Sequence, residues 1–272
     1  MLRCCLLAGL WMGLSGCIAG TPRVPEGTAL QAYSDEPYAK VLSAVVKGED
    51  GLVDYHAFAD DPALERELDV YMNALARFGP DESRGAFPTA EHELAYYLNA
   101  YNAAMIRLWL DKGGAEASPT RKVNWLAWFI SEGFKIDGGG VTLDHLEQRV
   151  IRPRYSDGRI HFALICGALS CPPLLDEPYR AERLGEQMDA IGRAWLNQPD
   201  GLRMEGDTAV MSRIMKWYRG DFDEMGGLRG VVDRYAEEPL RSEALRAIDA
   251  GRLKFMPYDW TINLAVDEEV GG

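Results

Sequence analysis

His161, Cys166 and Cys171 fall within one stretch of fourteen residues, His161-Phe162-Ala163-Leu164-Ile165-Cys166-Gly167-Ala168-Leu169-Ser170-Cys171-Pro172-Pro173-Leu174. A thiolate next to an imidazole is a nucleophile with its base. The same atoms allow two other chemistries, a Cys166–Cys171 disulfide stiffened by the Pro172-Pro173 pair, or metal ligation. The H-x4-C-x4-C spacing matches no familiar zinc pattern and lacks an evident fourth ligand, so no metal and no cofactor is assigned.

The apolar run Arg159–Ile165 predicts a short strand that leads into the cysteine loop. In such a strand His161 and Cys166, five positions apart, leave opposite faces, and their Cα atoms stand about 16 Å apart. The pair meets only if the strand ends early and turns at Ala163 or Leu164. Otherwise the base comes from elsewhere, and His145 with Glu147, on a short predicted helix, are the candidates. Cys166 sits where the strand gives way to Gly167, an edge at which loops present reactive groups.

These residues need a scaffold. Leu94 to Leu110 is apolar on nearly every side, which predicts a helix over about 90–112 buried all round. Asn99 and Asn102 lie one turn apart on it. Each amide must find hydrogen bonds, since an orphaned buried group costs about 1–3 kcal/mol. They either tie down loop backbone or line a site, where an amide can orient an imidazole or donate to an oxyanion. Further helices are expected at Pro37–Lys47, Pro62–Phe78, Thr142–Ile151, Tyr179–Leu196, Ser212–Tyr218 and, as a pair, across Leu228–Ala250. Strands are expected at Phe134–Asp137, Ala209–Met211 and Leu253–Met256. Gly138-Gly139-Gly140 supplies positive φ for a tight connection. Thr142 caps the next helix and Pro153 stops it soon after Ile151. Trp217-Tyr218 and Tyr258-Asp259-Trp260 read as core anchors. The whole is an α+β class: one helix-rich domain over residues 38–272 with a small sheet.

Residues 1–17 read as a secretory leader, with Arg3 ahead of an apolar run too short to span a bilayer. The run closes on Leu14-Ser15-Gly16-Cys17, the order of a bacterial lipobox, which predicts acylation of Cys17 and a membrane anchor through that lipid. Residues 18–37 are then expected to be a flexible tether. Ile18 is not the aspartate associated with inner-membrane retention, so the periplasmic face of the outer membrane is the expected location. The formal charge is −13. A body this acidic repels phosphate backbones, and no basic stripe offsets it, so nucleic acid is not an expected partner. Cys4 and Cys5 leave with the leader and Cys17 takes lipid, so Cys166 and Cys171 remain in an oxidising compartment.

The assembled motifs resemble the family of domain of unknown function 547, DUF547. They are Tyr97-Leu98-Asn99-Ala100-Tyr101-Asn102, Leu143-Asp144-His145-Leu146-Glu147 with Ile151-Arg152-Pro153, the run Arg159 to Cys166 with Ser170-Cys171-Pro172-Pro173, and Tyr258-Asp259-Trp260-Thr261-Ile262-Asn263. The resemblance implies one departure. Members commonly carry Ile-Glu-His where this chain has Leu146-Glu147-Gln148, and glutamine cannot serve as a base. His145 either takes over, or this member has lost that activity.

Two functions follow as expectations. One is a thiol-dependent hydrolase or acyl/peptidyl transferase acting on an envelope component. In it Cys166 attacks, His145 or His161 is the base, Glu147 orients that base, and Asn99 or Asn102 gives polar support. The other is a non-catalytic envelope lipoprotein that binds a partner, its two cysteines joined as a disulfide.

Overall fold

The helix predicted over residues 90–112 spans Ala90–Asp111 and is buried from Leu94 to Trp109 apart from Arg107. Arg107 escapes by pairing with Glu65 at 2.8 Å and Asp111 at 2.7 Å. The computed structural model describes residues 17–18, 21–116 and 125–266. Along them run β1 (Cys17–Ile18), α1 (Glu36–Val45), β2 (Val46–Lys47), β3 (Leu52–Val53), α2 (Ala57–Asp60), α3 (Pro62–Arg77) and the long α4 (Ala90–Asp111). Next come α5 (Trp125–Ser131), β4 (Glu132–Ile136), β5 (Gly139–Thr142), α6 (Leu143–His145), a π-turn over Leu146–Ile151, α7 (Arg152–Arg154) and α8 (Ile160–Ala163). The last third holds α9 (Leu184–Leu196), β6 (Leu202–Glu205), β7 (Thr208–Met211), α10 (Arg213–Trp217), α11 (Gly227–Tyr235), α12 (Leu240–Asp249) and β8 (Leu253–Phe255). This is a helix-rich α+β fold with small sheets.

Two apolar cores meet at α8. Ile160 and Ala163 pack into the first, with α1, α3 and α4, while Phe162 packs into the second, with α9, α11 and the β6–β7–β8 sheet. In that sheet β6 pairs antiparallel with β7, and β7 parallel with β8. α8 replaces the strand expected at Arg159–Ile165. Apolar periodicity cannot separate a short buried strand from a short buried helix, and local caps decide here. The Asp157 carboxylate accepts from Arg159 N at 2.9 Å, and the Asp157 and Gly158 carbonyls accept from Ile160 and His161. The chain becomes extended again at Leu164.

Three other expectations are corrected. The helix over Thr142–Ile151 does not stop before Pro153; it widens into the π-turn, where Arg152 N donates to Glu147 O, and runs on through Arg154. A widened turn re-aims the side chains on it. The positive φ of the β4–β5 turn falls on Asp137 and Gly138, leaving Gly139 and Gly140 in β5. Asp137 holds that φ because its carboxylate accepts from Asp81 N and Glu82 N at 3.0 Å. Finally, residues 18–37 are not a free tether where they are described. Asn73 and Arg77 donate to the Pro22 and Leu30 carbonyls, and the Tyr33 ring packs 5.0 Å from Phe87 and 5.4 Å from Tyr96. A single tyrosine that inserts into an aromatic cluster outweighs a polar local composition.

Candidate functional site

The cysteine loop is built by two distant partners. Asn102, on α4, donates from Nδ2 to Ala163 O at 2.9 Å and accepts from Ile165 N at 3.0 Å. It thereby fixes the segment that joins α8 to Cys166. From the other side the C-terminal residues strap the loop: Leu169 N donates to Thr261 O, Asn263 N to Gly167 O, and Asp259 N to Ser170 Oγ. Gly167 has φ 75°, and a Cβ there would overlap the Trp109 indole. Only glycine lets the chain reverse against that ring.

Cys166 and Cys171 are disulfide-bonded, with Cα atoms 6.3 Å apart. Cys166 is partly exposed and Cys171 is 8% exposed. Tyr258 Oη lies 3.0 Å from Cys166 Sγ and 3.1 Å from Cys171 Sγ, and Cys166 N donates to Cys171 Sγ at 3.0 Å. A disulfide sulfur carries no proton, so the Tyr258 hydroxyl is the donor.

Both sulfurs open onto a cleft of about 420 Å³. Aromatic rings make much of its wall, including Tyr101 from α4, Phe129 from α5 and Tyr218 after α10. Trp217, Tyr258 and Trp260 form one aromatic group there, with centroids 4.3 to 5.9 Å apart. Their expected role as core anchors holds for Tyr258 and Trp260, which pack against the core while lining the cleft, and is corrected for Trp217. Trp217 is 48% exposed, and the group faces the cleft because the loop it straps is itself the cleft wall.

The polar side of the cleft comes from the π-turn and its neighbours. Glu147 is buried, and its carboxylate accepts from Tyr101 Oη at 3.4 Å, from Gln148 Nε2 at 3.0 Å and from the Tyr218 hydroxyl. Burial holds its carboxyl above the ordinary range, against the opposing pull of the Tyr218 hydroxyl and the nearby His161 and Arg152. Asp221 behaves in the opposite way. His161 Nε2 lies 2.7 Å from Asp221 Oδ2, and Arg152 grips the same carboxylate with Nε at 2.7 Å and Nη2 at 2.9 Å. His161 first, then Arg152, hold Asp221 well below the usual carboxylate range. The imidazole is buried and stacks on Tyr218 at 3.8 Å, with the Arg152 guanidinium 5.0 Å above the same phenol. Arg152 also donates to Gln148 Oε1.

The early turn after α8 brings His161 and Cys166 to one cleft, together with Glu147 and Gln148. His145 stands apart: it is exposed and lies outside the cleft wall, whereas Asp144, Glu147 and Gln148, spaced i, i+3 and i+4, share the face that lines it. Asn99 is also remote from the sulfurs. It exchanges two 2.8 Å hydrogen bonds with the backbone of Tyr179, so both asparagines tie down loop backbone. Cys17 is described only as backbone, where with Ile18 it pairs parallel to Glu132 and Gly133; the rest of the expected leader, residues 1–16, lies outside the described residues. Among the described residues no group of three His, Cys, Asp or Glu side chains could hold a metal ion. Sequence reasoning missed Asp221, which lies in an unpatterned 3₁₀ segment and has no local signal, and the Tyr258 contact with the sulfurs.

Residues 87–196 match the family model described as "Protein of unknown function, DUF547", and over that segment the chain is similar to that family. The matched segment carries α4, the π-turn, α8 and both cysteines, and ends before Asp221 and the aromatic group. No curated protein and no solved structure matches the chain.

Proposed function

We propose that this chain is a ligand-binding lipoprotein of the bacterial envelope, acylated at Cys17 and held at the periplasmic face of the outer membrane. Its cleft takes a small envelope molecule, or one group of a larger partner, that presents an apolar or ring surface to Trp217, Tyr258 and Trp260. A volume of about 420 Å³ with aromatic walls and a few fixed polar groups suits a ligand of that size.

One observation carries the choice of binding over catalysis. Gln148 lines the cleft at the position where the resembling family commonly has histidine, and it is engaged with Glu147 and Arg152. An amide neither takes nor returns a proton, so Gln148 gives Cys166 no base. The disulfide supports the same reading, since it occupies the sulfur that would attack.

The second reading, a thiol-dependent hydrolase or acyl/peptidyl transferase, is favoured by the position of Cys166 on the cleft wall beside buried Glu147. Thiol titration of acid-quenched protein isolated from the envelope separates the two. No titratable thiol, with saturable uptake of the neutral fluorophore N-phenyl-1-naphthylamine that Trp217→Ala abolishes, supports binding. Two free thiols in the native protein overturn it. Cys17→Ser is expected to move the protein out of the membrane fraction.

A further inference from the structure

The disulfide is asymmetric in its surroundings, and that asymmetry has a chemical direction. Cys166 is the more exposed sulfur, while Cys171 is 8% exposed. Cys171 Sγ alone receives a backbone N–H, from Cys166 at 3.0 Å, and shares the Tyr258 hydroxyl at 3.1 Å. Donors aimed at a sulfur favour its thiolate, and a thiol with a more stable thiolate is the faster leaving group.

We infer that the cleft is a thiol–disulfide exchange site for small thiols, in which Cys166 is the sulfur attacked and Cys171 the sulfur that leaves. An incoming thiolate forms a bond to Cys166 Sγ. The Cys166–Cys171 bond breaks, and its electron pair departs on Cys171. The products are a mixed disulfide at Cys166 and a Cys171 thiolate, held by the Cys166 N–H and the Tyr258 hydroxyl. Tyr258 keeps its proton, because burial raises that phenol further above a thiol's range, so it acts as a hydrogen-bond donor only. A second thiol of the same class attacks the external sulfur of the mixed disulfide. It releases an oxidised thiol dimer and leaves Cys166 and Cys171 reduced, the two protons coming from the thiols consumed. In an oxidising compartment the same steps run backwards.

The loop is built for return as well as departure. Cys171 N donates to Ala168 O, Ser170 N to Asp259 O and Leu169 N to Thr261 O. These bonds keep the released sulfur near Cys166, where it can attack the mixed disulfide at high effective concentration. This chemistry belongs to the cleft wall and does not depend on which envelope ligand the cleft binds.

The test uses folded wild-type protein with excess reduced glutathione at neutral pH, acid quench, and alkylation of free thiols with N-ethylmaleimide before peptide mapping. Glutathione is expected on Cys166 and the maleimide on Cys171. In parallel, Cys171→Ser is expected to take glutathione from its oxidised dimer about ten-fold faster than Cys166→Ser, because the remaining thiol is the more exposed one. Tyr258→Phe should slow reduction of the wild-type disulfide about five-fold, through loss of one donor to the leaving sulfur. Glutathione found on Cys171, equal rates for the two serine variants, or modification only after unfolding in urea overturns the inference.

Discussion

Replacing Asn102 by leucine tests how the cysteine loop is held. The side chain is 2% exposed, and it closes a pair of hydrogen bonds with Ala163 O and Ile165 N, at 2.9 and 3.0 Å. Leucine nearly matches its volume and satisfies neither backbone group. Each orphaned group costs about 1–3 kcal/mol, so the loss is about 2–6 kcal/mol before any gain from the added apolar surface. A net destabilisation of about 3 kcal/mol is expected, which for a domain of this size lowers the melting temperature by about 6–12 °C. Asn99→Leu is the matched control. It breaks an equivalent pair, at 2.8 Å each, but on the backbone of Tyr179 rather than beside Cys166. The two variants should therefore melt alike in urea. They should differ in the rate at which dithiothreitol reduces the native disulfide, faster for Asn102→Leu and unchanged for Asn99→Leu once global unfolding is matched. A loss below about 1 kcal/mol for Asn102→Leu, or equal acceleration in both variants, refutes the reasoning.

Asp221→Ala leaves the buried His161 nitrogen without its acceptor and Arg152 without its carboxylate, and is expected to cost about 2–4 kcal/mol in denaturant melts, since Arg152 can rehydrate. Because His161 and Arg152 depress the Asp221 pKa, its contribution is present above the unfolded carboxyl value of about 3.9 and disappears as pH falls through the lower folded value; the alanine variant should lose that acid-side slope. Glu147 has the opposite sign. Burial raises its pKa, so stability drains away as pH rises from about 4.3 through the folded value, and Glu147→Gln should flatten that decline and match or exceed wild type at pH 7. In reduced protein, Gln148→His should place an imidazole in the cleft with Cys166 and raise its alkylation by iodoacetamide at pH 6–7 by up to about ten-fold.

Much of the scaffold was legible because it is written in long patterns. α3 and α4 follow from apolar periodicity over four or more turns, and their observed ends lie within one residue of those expected. The pairing of cysteines was legible as one of three chemistries open to those atoms. Short elements were less legible. Four residues of α8 could not be told from a strand by hydrophobicity, and Asp157 decided the matter through a cap that apolar pattern does not weigh. The π-turn was invisible for a related reason, since nothing in Leu146–Ile151 departs from helical composition; that the face of Asp144, Glu147 and Gln148, and not His145, meets the cleft is set by packing against distant elements. Long-range partners were least legible of all. Asp221 meets His161 across sixty positions and Tyr258 meets Cys166 across ninety-two, with no local signal at either end.

The two shifted carboxyls bear on the proposed choice of binding over base catalysis. Asp221 holds the buried imidazole of His161 through Nε2 and the guanidinium of Arg152. Glu147 is left without a close ion pair, surrounded by phenols and an amide, and burial raises its pKa accordingly. A base for Cys166 must accept a proton and lie within reach of the sulfur. His161 is held through Nε2 by Asp221, Gln148 cannot accept a proton, and His145 is outside the cleft, so the carboxyls of Asp144 and Glu147 are those that remain on the cleft wall with Cys166. What reaches the sulfurs is a donor, the Tyr258 hydroxyl, at 3.0 and 3.1 Å. A donor at that distance from both sulfurs stabilises whichever of them leaves the bond.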